Sequence, residues 1–221
     1  PETTATPGDP IEGEWPNFQY DDANRGYSDE AGAIWDEPSE HWRSSVPEEI
    51  YPESGVAIAD NTVYVGTYGG SLYAFDGSSG EQLWRYEFGN DTYATPSVVD
   101  GTVYTGSVDN DLYAIDAQDG SLNWRYETGF PVNEHPVVTD GTVYVPVQNG
   151  PTSGKVAAVD AESGERRWQR DIGGDSCGGA AVADGVVYIG FGGGDNAFYA
   201  IDASTGEQRW RFQTQRRGDA S

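Results

Sequence analysis

The chain has 221 residues, of which 37 are acidic and 12 are basic, so its formal net charge is −25. This balance argues against binding to DNA, RNA or an anionic membrane, because those partners require basic patches. A single cysteine excludes a small domain stapled by disulfides, but it does not identify the redox compartment.

The first fourteen residues, PETTATPGDPIEGE, are rich in proline, threonine and acid, and we expect a disordered tether there. Such a segment is typical of a tether behind a lipid-modified N-terminus, although a simple boundary of an excised piece would look the same. Because the chain starts at Pro1 and contains no methionine, we expect a processed or excised form. Residues 15–214 are predicted to fold, and residues 215–221 are predicted to fray.

The acidic residues are spread along the whole folded region, and lysine occurs once, at Lys155. This profile is typical of an extreme halophile, because molar salt shortens the screening length to about 3 Å and relieves self-repulsion. The alternative, recognition of a basic partner or of calcium, would predict clustered acids instead.

One motif of thirteen residues occurs four times in this chain, as LYAFDGSSGEQLW, LYAIDAQDGSLNW, VAAVDAESGERRW and FYAIDASTGEQRW. Each copy reads Ala-x-Asp, then a turn that ends in Gly, then Trp. The tryptophans lie 40 to 44 residues apart, at Trp42, Trp84, Trp124, Trp168 and Trp210. A period of this length with strand-like repeats predicts a β-propeller.

Each period also contains two apolar runs joined by Asp-Gly or Asp-Asn, at residues 60–61, 100–101, 140–141 and 184–185. These junctions favour tight hairpins, and the Val-Tyr pair that follows each one is strongly β-forming. The motif's Asp can accept hydrogen bonds from turn amides, and its Gly can take the positive φ of that turn. We therefore predict four-stranded antiparallel blades at about residues 55–88, 95–128, 135–171 and 179–213.

The recurring tryptophans are predicted to pack between neighbouring blades, where a large ring faces a small residue, for which the motif's alanine is suitable. An alternative is a stacking site for sugars or nucleobases, which is less favoured because a ligand platform need not recur in every repeat. The predicted structural docking residues are Ala74, Asp76, Gly80, Trp84, Ala114, Asp116, Gly120, Trp124, Ala158, Asp160, Gly164, Trp168, Ala200, Asp202, Gly206 and Trp210.

The motif resembles the tryptophan-docking repeat of pyrroloquinoline quinone (PQQ)-like propellers, a family that includes quinoprotein dehydrogenases and non-enzymatic relatives. The segment WPNFQYDDANRG at residues 15–26 also resembles the lead-in to their first blade. The resemblance spans about Trp15 to Gln213 and implies an all-β propeller of a seven- or eight-bladed type. In repeat type the chain also resembles the propeller lipoprotein of the outer-membrane barrel-assembly machinery. Function stays open, because one fold hosts unrelated activities.

Ring closure is the main question that the repeats raise. Trp42-Arg43 matches Trp84-Arg85, which predicts a lone fourth strand whose blade lacks its first three strands. Four blades and one strand leave exposed edges, which native proteins avoid. We therefore expect part of a longer propeller, with a homodimer that closes the ring as the second interpretation and a closed ring of four blades as the third.

The loops after the fourth strands differ most between repeats, so they hold the candidate ligand-binding residues: Tyr93, Asn133, Glu134, His135, Asp175 and Cys177. Such loops could line a small-ligand pocket, and the alternative is that these side chains are ordinary solvated loop residues.

The resemblance to quinoprotein dehydrogenases implies PQQ, a calcium ion, a carboxylate base and often a disulfide between adjacent cysteines. Cys177 has no second cysteine to pair with, and no acidic cluster has the spacing of a calcium site. We therefore predict no catalytic residue, no metal site and no cofactor, and leave the question of an enzyme open.

The main prediction is a non-catalytic scaffold that binds a protein partner at the cell surface or outside the cell, with a lipid anchor or peripheral membrane association as an option. The alternatives are a fragment of a PQQ- and calcium-dependent quinoprotein dehydrogenase and a small-ligand sensor.

Overall fold

The computed structural model describes residues 40–50, 55–148, 153–176, 178–192 and 196–214. Within these ranges all regular structure is β, which confirms the predicted fold class of four-stranded antiparallel sheets. No helix in the described part of the chain is long and apolar enough to cross a bilayer. The predicted tether, the lead-in at residues 15–26, Cys177 and the tail at 215–221 lie outside the described residues, as does the side chain of Asp175.

Four sheets follow one another along the chain, and sheets 1, 2 and 3 each pair their four strands in sequence order. Sheet 1 contains β1 (Val56–Ala59), β2 (Thr62–Gly66), β3 (Ser71–Asp76) and β4 (Gln82–Glu87). Sheet 2 contains β5 (Ser97–Val99), β6 (Thr102–Gly106), β7 (Asp111–Asp116) and β8 (Leu122–Glu127). Sheet 3 contains β9 (Val137–Thr139), β10 (Thr142–Gln148), β11 (Gly154–Asp160) and β12 (Arg166–Ile172).

Sheet 4 has a fifth, very short strand at its inner edge. Both β13 (Asp175–Ser176) and β14 (Ala181–Ala183) pair with β15 (Val186–Gly192), which continues to β16 (Ala197–Asp202) and β17 (Gln208–Gln213).

The first hairpin of each sheet turns through two residues in the left-handed region. Asp100 and Gly101, for example, have φ of 49° and 71°, and they join Val99 directly to Thr102, its partner in the antiparallel register. Both central φ values are positive in a type I′ turn, whose twist matches that of the flanking strands. The Asp-Gly and Asp-Asn pairs of the sequence therefore fix the first hairpin.

The turn between the third and fourth strands depends on the motif's aspartate. The Asp160 Oδ1 atom accepts hydrogen bonds from the amides of Glu162 at 3.1 Å and Ser163 at 2.8 Å. Gly164 then takes a φ of 74° and donates its own amide to the Asp160 carbonyl at 2.9 Å. In all four sheets the register shifts by one residue directly after the motif's alanine.

The sheets stand side by side around their first strands. Strand β1 contacts β5, β5 contacts β9, and β9 contacts β14, so the first strands lie innermost. The core consists of one apolar cluster between each pair of consecutive sheets, rather than a single central core. This is the arrangement of propeller blades.

The segment that contains Trp42 differs from expectation. Residues 40–46 form no strand, so the predicted lone strand is wrong for the described residues. A strand needs a hydrogen-bonded neighbour, and the three strands that would share its sheet are absent from the described chain. The segment instead lies against sheet 1, where Trp42 and Val46 pack on the cluster of Val65, Tyr73 and Phe75.

Candidate functional site

The most regular feature of the structure is a contact between neighbouring sheets, in which a tryptophan and a tyrosine donate to one backbone carbonyl. We call this contact the clasp. The Trp84 indole Nε1 donates a hydrogen bond to the Ala117 carbonyl of sheet 2 at 3.0 Å. The Tyr64 hydroxyl donates to the same carbonyl at 3.4 Å, and the two rings lie 5.8 Å apart. One backbone acceptor of the next sheet thus holds two aromatic side chains of the preceding sheet.

The clasp recurs with nearly constant geometry at three junctions, where the indole bond measures 2.8 to 3.0 Å and the hydroxyl bond measures 3.2 to 3.4 Å. The indole donor, hydroxyl donor and shared acceptor are Trp84, Tyr64 and Ala117; Trp124, Tyr104 and Ala161; and Trp168, Tyr144 and Ala203.

Glycine, not alanine, is the small residue that faces each ring across the junction. A Cβ added to Gly120 would lie 2.8 Å from the Trp84 ring, which is closer than a real Cβ contact allows. The predicted small partner, the motif's alanine, instead lies opposite the tryptophan of its own sheet, as Ala74 lies opposite Trp84. The same glycine therefore serves both the positive φ of its turn and the close approach of the ring.

Sheet 1 carries an acceptor of the same kind, and the Trp42 segment occupies it. The Trp42 Nε1 donates to the Gly77 carbonyl at 2.6 Å, and a Cβ on Gly80 would lie 2.6 Å from the Trp42 ring. Ser44 donates through its hydroxyl to the Gly80 carbonyl. We call the Gly77 carbonyl together with Gly80 the sheet 1 socket.

Sheet 4 carries the matching donors, and they are uncovered in the described chain. Tyr188 and Trp210 lie 6.1 Å apart, as in the clasps. Trp210 is 45% exposed, whereas Trp84 is 8% exposed. Phe198 and Phe212 are 39% and 65% exposed beside it. We call these four aromatic residues the terminal aromatic face.

The predicted loop residues lie in loops that lead into consecutive sheets. Tyr93 lies in the loop before sheet 2, where its ring meets Tyr68 edge to face at 5.1 Å. Its hydroxyl donates to Asp91 Oδ2 at 3.1 Å. Burial, followed by this hydrogen bond and the charge of Asp91, raises the pKa of Tyr93 to about 12. The phenol is therefore protonated at neutral pH and serves to hold its loop.

Asn133 and His135 lie in the loop before sheet 3. The Thr95 amide donates to His135 Nδ1 at 2.8 Å, and the imidazole lies close to Gly179 of sheet 4. Asn133 donates from Nδ2 to Gln148 Oε1 at 3.1 Å, while its buried Oδ1 has no hydrogen-bond partner among the described residues.

His135 is held neutral by its surroundings. Burial lowers the pKa of His135 to about 4. Since Nδ1 accepts the Thr95 amide, the proton of the neutral ring sits on Nε2. The imidazole thus links two sheets by accepting a hydrogen bond. At neutral pH its Nδ1 carries no proton.

The remaining candidates are less informative. Glu134 is half-buried between Asn133 and His135. Asp175 is placed only by its backbone, which pairs with Gly192. Asn133, Glu134 and His135 therefore lie in one loop, and Tyr93 lies in the preceding loop, whose Thr95 amide donates to His135. No set of three or more His, Cys, Asp or Glu side chains within the described ranges could hold a metal ion.

Sequence reasoning missed two residues whose contacts fix the loops between sheets, Thr95 and Lys155. The Thr95 amide donates to His135, and the Thr95 Oγ1 accepts from the Gly55 amide at 2.7 Å. These hydrogen bonds link equivalent positions of consecutive sheets. Lys155 is buried, donates to the Thr128 carbonyl and lies 5.1 Å from the Phe130 ring centroid. Burial lowers the pKa of Lys155. Its isolation as the single lysine was the only available signal.

The family follows from the repeat geometry and from a direct match. The family model described as "Outer membrane protein assembly factor BamB", of the PQQ-like repeat type, matches residues 33–177 and 152–220. The chain belongs to this PQQ-like repeat family. No curated protein matches the chain significantly.

Solved structures show the same fold at low identity. A europium-containing methanol dehydrogenase is 19% identical with a TM-score of 0.78, over 91% of this chain and 49% of that one. The quinohemoprotein alcohol dehydrogenase of Comamonas testosteroni is 20% identical with a TM-score of 0.72, over 90% and 41%. BamB of Moraxella catarrhalis is 22% identical with a TM-score of 0.60, over 72% and 50%. The chain thus spans at most half the length of these structures.

The PQQ-like family raises the question of a quinone and its calcium ion. Calcium takes six to eight oxygen ligands, largely from carboxylates and carbonyls. The described residues offer no cluster of three or more His, Cys, Asp or Glu side chains that could hold a metal. The candidates in the loop before sheet 3 are the Asn133 amide, the Glu134 carboxylate and the His135 imidazole. This donor set does not fit a calcium-held quinone.

Proposed function

We propose that the chain is a non-catalytic scaffold that binds a protein partner through the loops that join its sheets. The observation that carries this proposal is the use of the loop side chains: His135 accepts from Thr95, and Tyr93 donates to Asp91, so both hold loops in place. Loops fixed on a rigid sheet framework form a defined binding surface. The matched family description, an assembly factor, supports a protein as the bound partner.

The pKa values of these side chains also favour a role in shaping a binding surface over a role in catalysis. A general acid or base works best with a pKa near the operating pH. The pKa of His135 is lowered to about 4 and that of Tyr93 is raised to about 12, so both lie far from neutral. Their role in this proposal is to shape the surface that the partner contacts.

For location we propose the outer face of the cell, with the threonine-rich residues 1–14 as the tether. A lipid anchor at the start of such a tether would hold the propeller near a membrane without a spanning helix. The acidic surface suits a medium of high salt.

The second candidate function is small-ligand binding, as a sensor or as part of a quinoprotein dehydrogenase. Its specific support is the buried Asn133 Oδ1, which lacks a partner in the described part of the chain. A buried acceptor without a donor is costly, and a ligand that donates a hydrogen bond would satisfy it.

The test compares capture with catalysis under the same conditions. The chain is immobilised in multi-molar potassium chloride and exposed to an extract of the source cells, with Glu134→Ala as the loop variant and Leu122→Ala as the control at an exposed site. We expect one dominant captured protein that Glu134→Ala loses, that Leu122→Ala keeps and that a calcium chelator does not affect.

Reconstitution with PQQ and calcium tests the dehydrogenase candidate. If PQQ and calcium give the chain alcohol-dependent dye reduction, and Glu134→Ala abolishes that activity, the dehydrogenase candidate replaces the scaffold. Ligand-induced perturbation of Asn133, without dye reduction, would favour the sensor instead.

A further inference from the structure

The loop before sheet 2 carries a modification motif that the proposed function does not use. Asn90, Asp91 and Thr92 match Asn-x-Ser/Thr, the acceptor pattern for N-linked sugars. No other asparagine of the chain has Ser or Thr two residues later. A pattern this short also arises by chance, so the argument depends on how the structure places the acceptor nitrogen and the hydroxyl.

The side chain of Asn90 is exposed and leaves its nitrogen available. The Asn90 Oδ1 accepts a hydrogen bond from the Asp91 amide at 2.9 Å. Because an N–H donor requires an oxygen as its acceptor, this bond also fixes which branch of the side-chain amide is Nδ2. Within the described part of the chain Nδ2 donates no hydrogen bond. The atom to which a sugar is attached therefore faces no competing partner there.

The backbone at Asn90 is held by both flanking sheets. The Asn90 carbonyl accepts from the Ser107 hydroxyl at 3.0 Å, and a Cβ on Gly70 would lie 2.7 Å from that carbonyl oxygen. The Asp91 carbonyl accepts from the Val108 amide at 2.9 Å. Sheets 1 and 2 are both described, so the exposure of Asn90 does not depend on a sheet beyond either end of the described chain.

The next loop shows that the fold requires neither the asparagine nor the hydroxyl. Thr92 and Val132 occupy equivalent positions, since each donates its amide to the first carbonyl after the second strand of the preceding sheet, at 3.2 and 3.1 Å. Both side chains are fully buried. Two residues earlier, Phe130 takes the place of Asn90 and is exposed as well. A valine and a phenylalanine satisfy the fold at these positions, so packing does not account for the motif.

The burial of Thr92 decides when the motif can be read. Its hydroxyl donates to the Gly106 carbonyl, and on the other side a Cβ on Gly66 would lie 2.8 Å from the Thr92 methyl group. The motif requires Ser or Thr at its third position, so the enzyme that reads it must reach this hydroxyl. In the folded chain the hydroxyl is enclosed. The sugar must therefore be added before sheets 1 and 2 come together.

We propose that Asn90 carries an N-linked glycan that is added before the chain folds. This inference rests on the proposed location at the outer face of the cell, because such sugars belong to surface loops of secreted proteins. In the transfer, Nδ2 attacks C1 of a glycosyl phosphate or diphosphate on a lipid carrier. The C1–N bond forms as the C1–O bond breaks, Nδ2 loses one proton, and the carrier phosphate leaves with the bonding electron pair. The glycan then stands beside the loop of Tyr93.

The first test is mass spectrometry of the protein purified from its source cells. The tryptic fragment of residues 86–125 should carry an added mass of sugar units, and fragmentation should assign it to Asn90. Thr92→Val and Asn90→Gln, expressed in the same cells, should lose that mass completely. Thr92→Ser retains the motif and should keep it. Asn123→Gln is the matched control, since Asn123 is an exposed asparagine of the same fragment outside the motif.

The second test measures the order of folding and transfer. Membranes of the source cells supply the transferase and the lipid-linked sugar. They are mixed with the folded chain, made in a host that lacks the enzyme, or with a synthetic peptide of residues 86–96. The peptide should be modified at least about tenfold faster, because the hydroxyl of the folded chain is accessible only when its loop opens. The same peptide with valine at position 92 should not react. Equal rates for chain and peptide would overturn the proposed order.

The proposal of a glycan is overturned if the wild-type fragment carries no added mass at Asn90, or if Thr92→Val keeps it. Circular dichroism and urea midpoints check the folding of each variant, and Asn90→Gln, at an exposed site, gives the same readout if Thr92→Val does not fold. Protease digestion of intact cells tests the location separately. A chain that is cleaved from outside but unmodified would overturn the glycan alone, whereas a protected and unmodified chain would overturn the location as well.

Discussion

The motif glycines show how one residue can satisfy two constraints at once. Gly120 and Gly101 have nearly equal φ, 75° and 71°. They differ in their surroundings, because a Cβ on Gly120 would lie 2.8 Å from the Trp84 ring, whereas nothing lies within 4 Å of a Cβ on Gly101. The pair therefore separates backbone strain from crowding at a junction.

We predict that Gly101→Ala lowers the free energy of unfolding by roughly 1–2 kcal/mol, the cost of a left-handed alanine. Gly120→Ala should lose a further 1–3 kcal/mol or so, because the Trp84 ring must shift to make room for the methyl group. Urea denaturation followed by tryptophan fluorescence measures both values. Equal losses in the two variants would mean that the junction relaxes around the added methyl group at no cost.

His135 gives the structure a pH dependence of known sign. Its folded pKa is about 4 against an ordinary value of 6.5, because burial disfavours the charged ring. Between these two values the unfolded histidine holds a proton that the folded one does not, so stability should rise with pH across this window. Below about pH 4 both states are protonated and the whole contribution has been lost.

We predict that His135→Asn, which retains an acceptor near the Thr95 amide, flattens the stability profile between pH 4 and 6.5. The difference from the wild-type profile should reach up to about 3 kcal/mol. Urea midpoints across this range provide the measurement. His41→Asn is the matched control, since His41 is exposed on the Trp42 segment. A wild-type profile unchanged by His135→Asn would show that folding does not change the pKa of the imidazole.

The four-stranded sheet with its clasp is the unit from which the structure is assembled. The Ala161 carbonyl accepts from Trp124 Nε1 at 2.9 Å and from the Tyr104 hydroxyl at 3.2 Å. Either donor alone leaves this acceptor satisfied, whereas the loss of both leaves it without a protein partner at the junction.

We predict that Trp124→Phe and Tyr104→Phe each lower the free energy of unfolding by about 0.5–1.5 kcal/mol, the net value of one hydrogen bond. The double variant should lose about 1–2 kcal/mol more than the sum, because the carbonyl then lies unsatisfied. A double-mutant cycle by urea denaturation gives the coupling. Additive losses would indicate that water replaces the missing donors.

Strand pairing and both turns could be predicted from the sequence, because their chemistry lies in contiguous residues. Asp100-Gly101 specifies its hairpin locally, and Asp160 with Gly164 specifies the second turn in the same way. The acceptor of the clasp could not be predicted, since a backbone carbonyl such as that of Ala117 has no residue type that signals it. For the same reason the sequence predicts alanine, rather than glycine, as the residue that contacts the ring.

The candidate site was less predictable than the fold. Asn133 and His135 could be noted because they depart from the repeat, but their partners Gln148 and Thr95 come from other elements. Such pairings depend on how consecutive sheets stand relative to one another, and no local pattern encodes this. Trp42 illustrates the same limit, because its motif predicts a strand and the structure has none there.

Across the whole chain, the net charge of −25 sets the conditions for stability. Self-repulsion opposes the compact state in dilute buffer and is screened in concentrated salt. Exposed glutamates of the turns and outer strands contribute to this self-repulsion and do not contact the core. They include Glu81, Glu127, Glu162 and Glu207.

We predict that the urea midpoint of the chain rises steeply with potassium chloride up to molar concentration. Replacing those four glutamates by glutamine should raise the midpoint at low salt and reduce its dependence on salt, because four negative charges are removed. An equal osmolality of sucrose is the control that separates screening from exclusion of solutes from the protein surface. A midpoint that does not respond to salt would exclude adaptation to a halophilic medium.

The clasp also gives every junction a direction. The aromatic donors always come from the earlier sheet and the carbonyl always from the later one, as Trp168 and Ala203 show. A whole repeat can therefore be gained or lost without changing the chemistry of any remaining junction, because each sheet contacts only its neighbours. Descendants of such a gene are expected to vary in length by steps of one complete repeat.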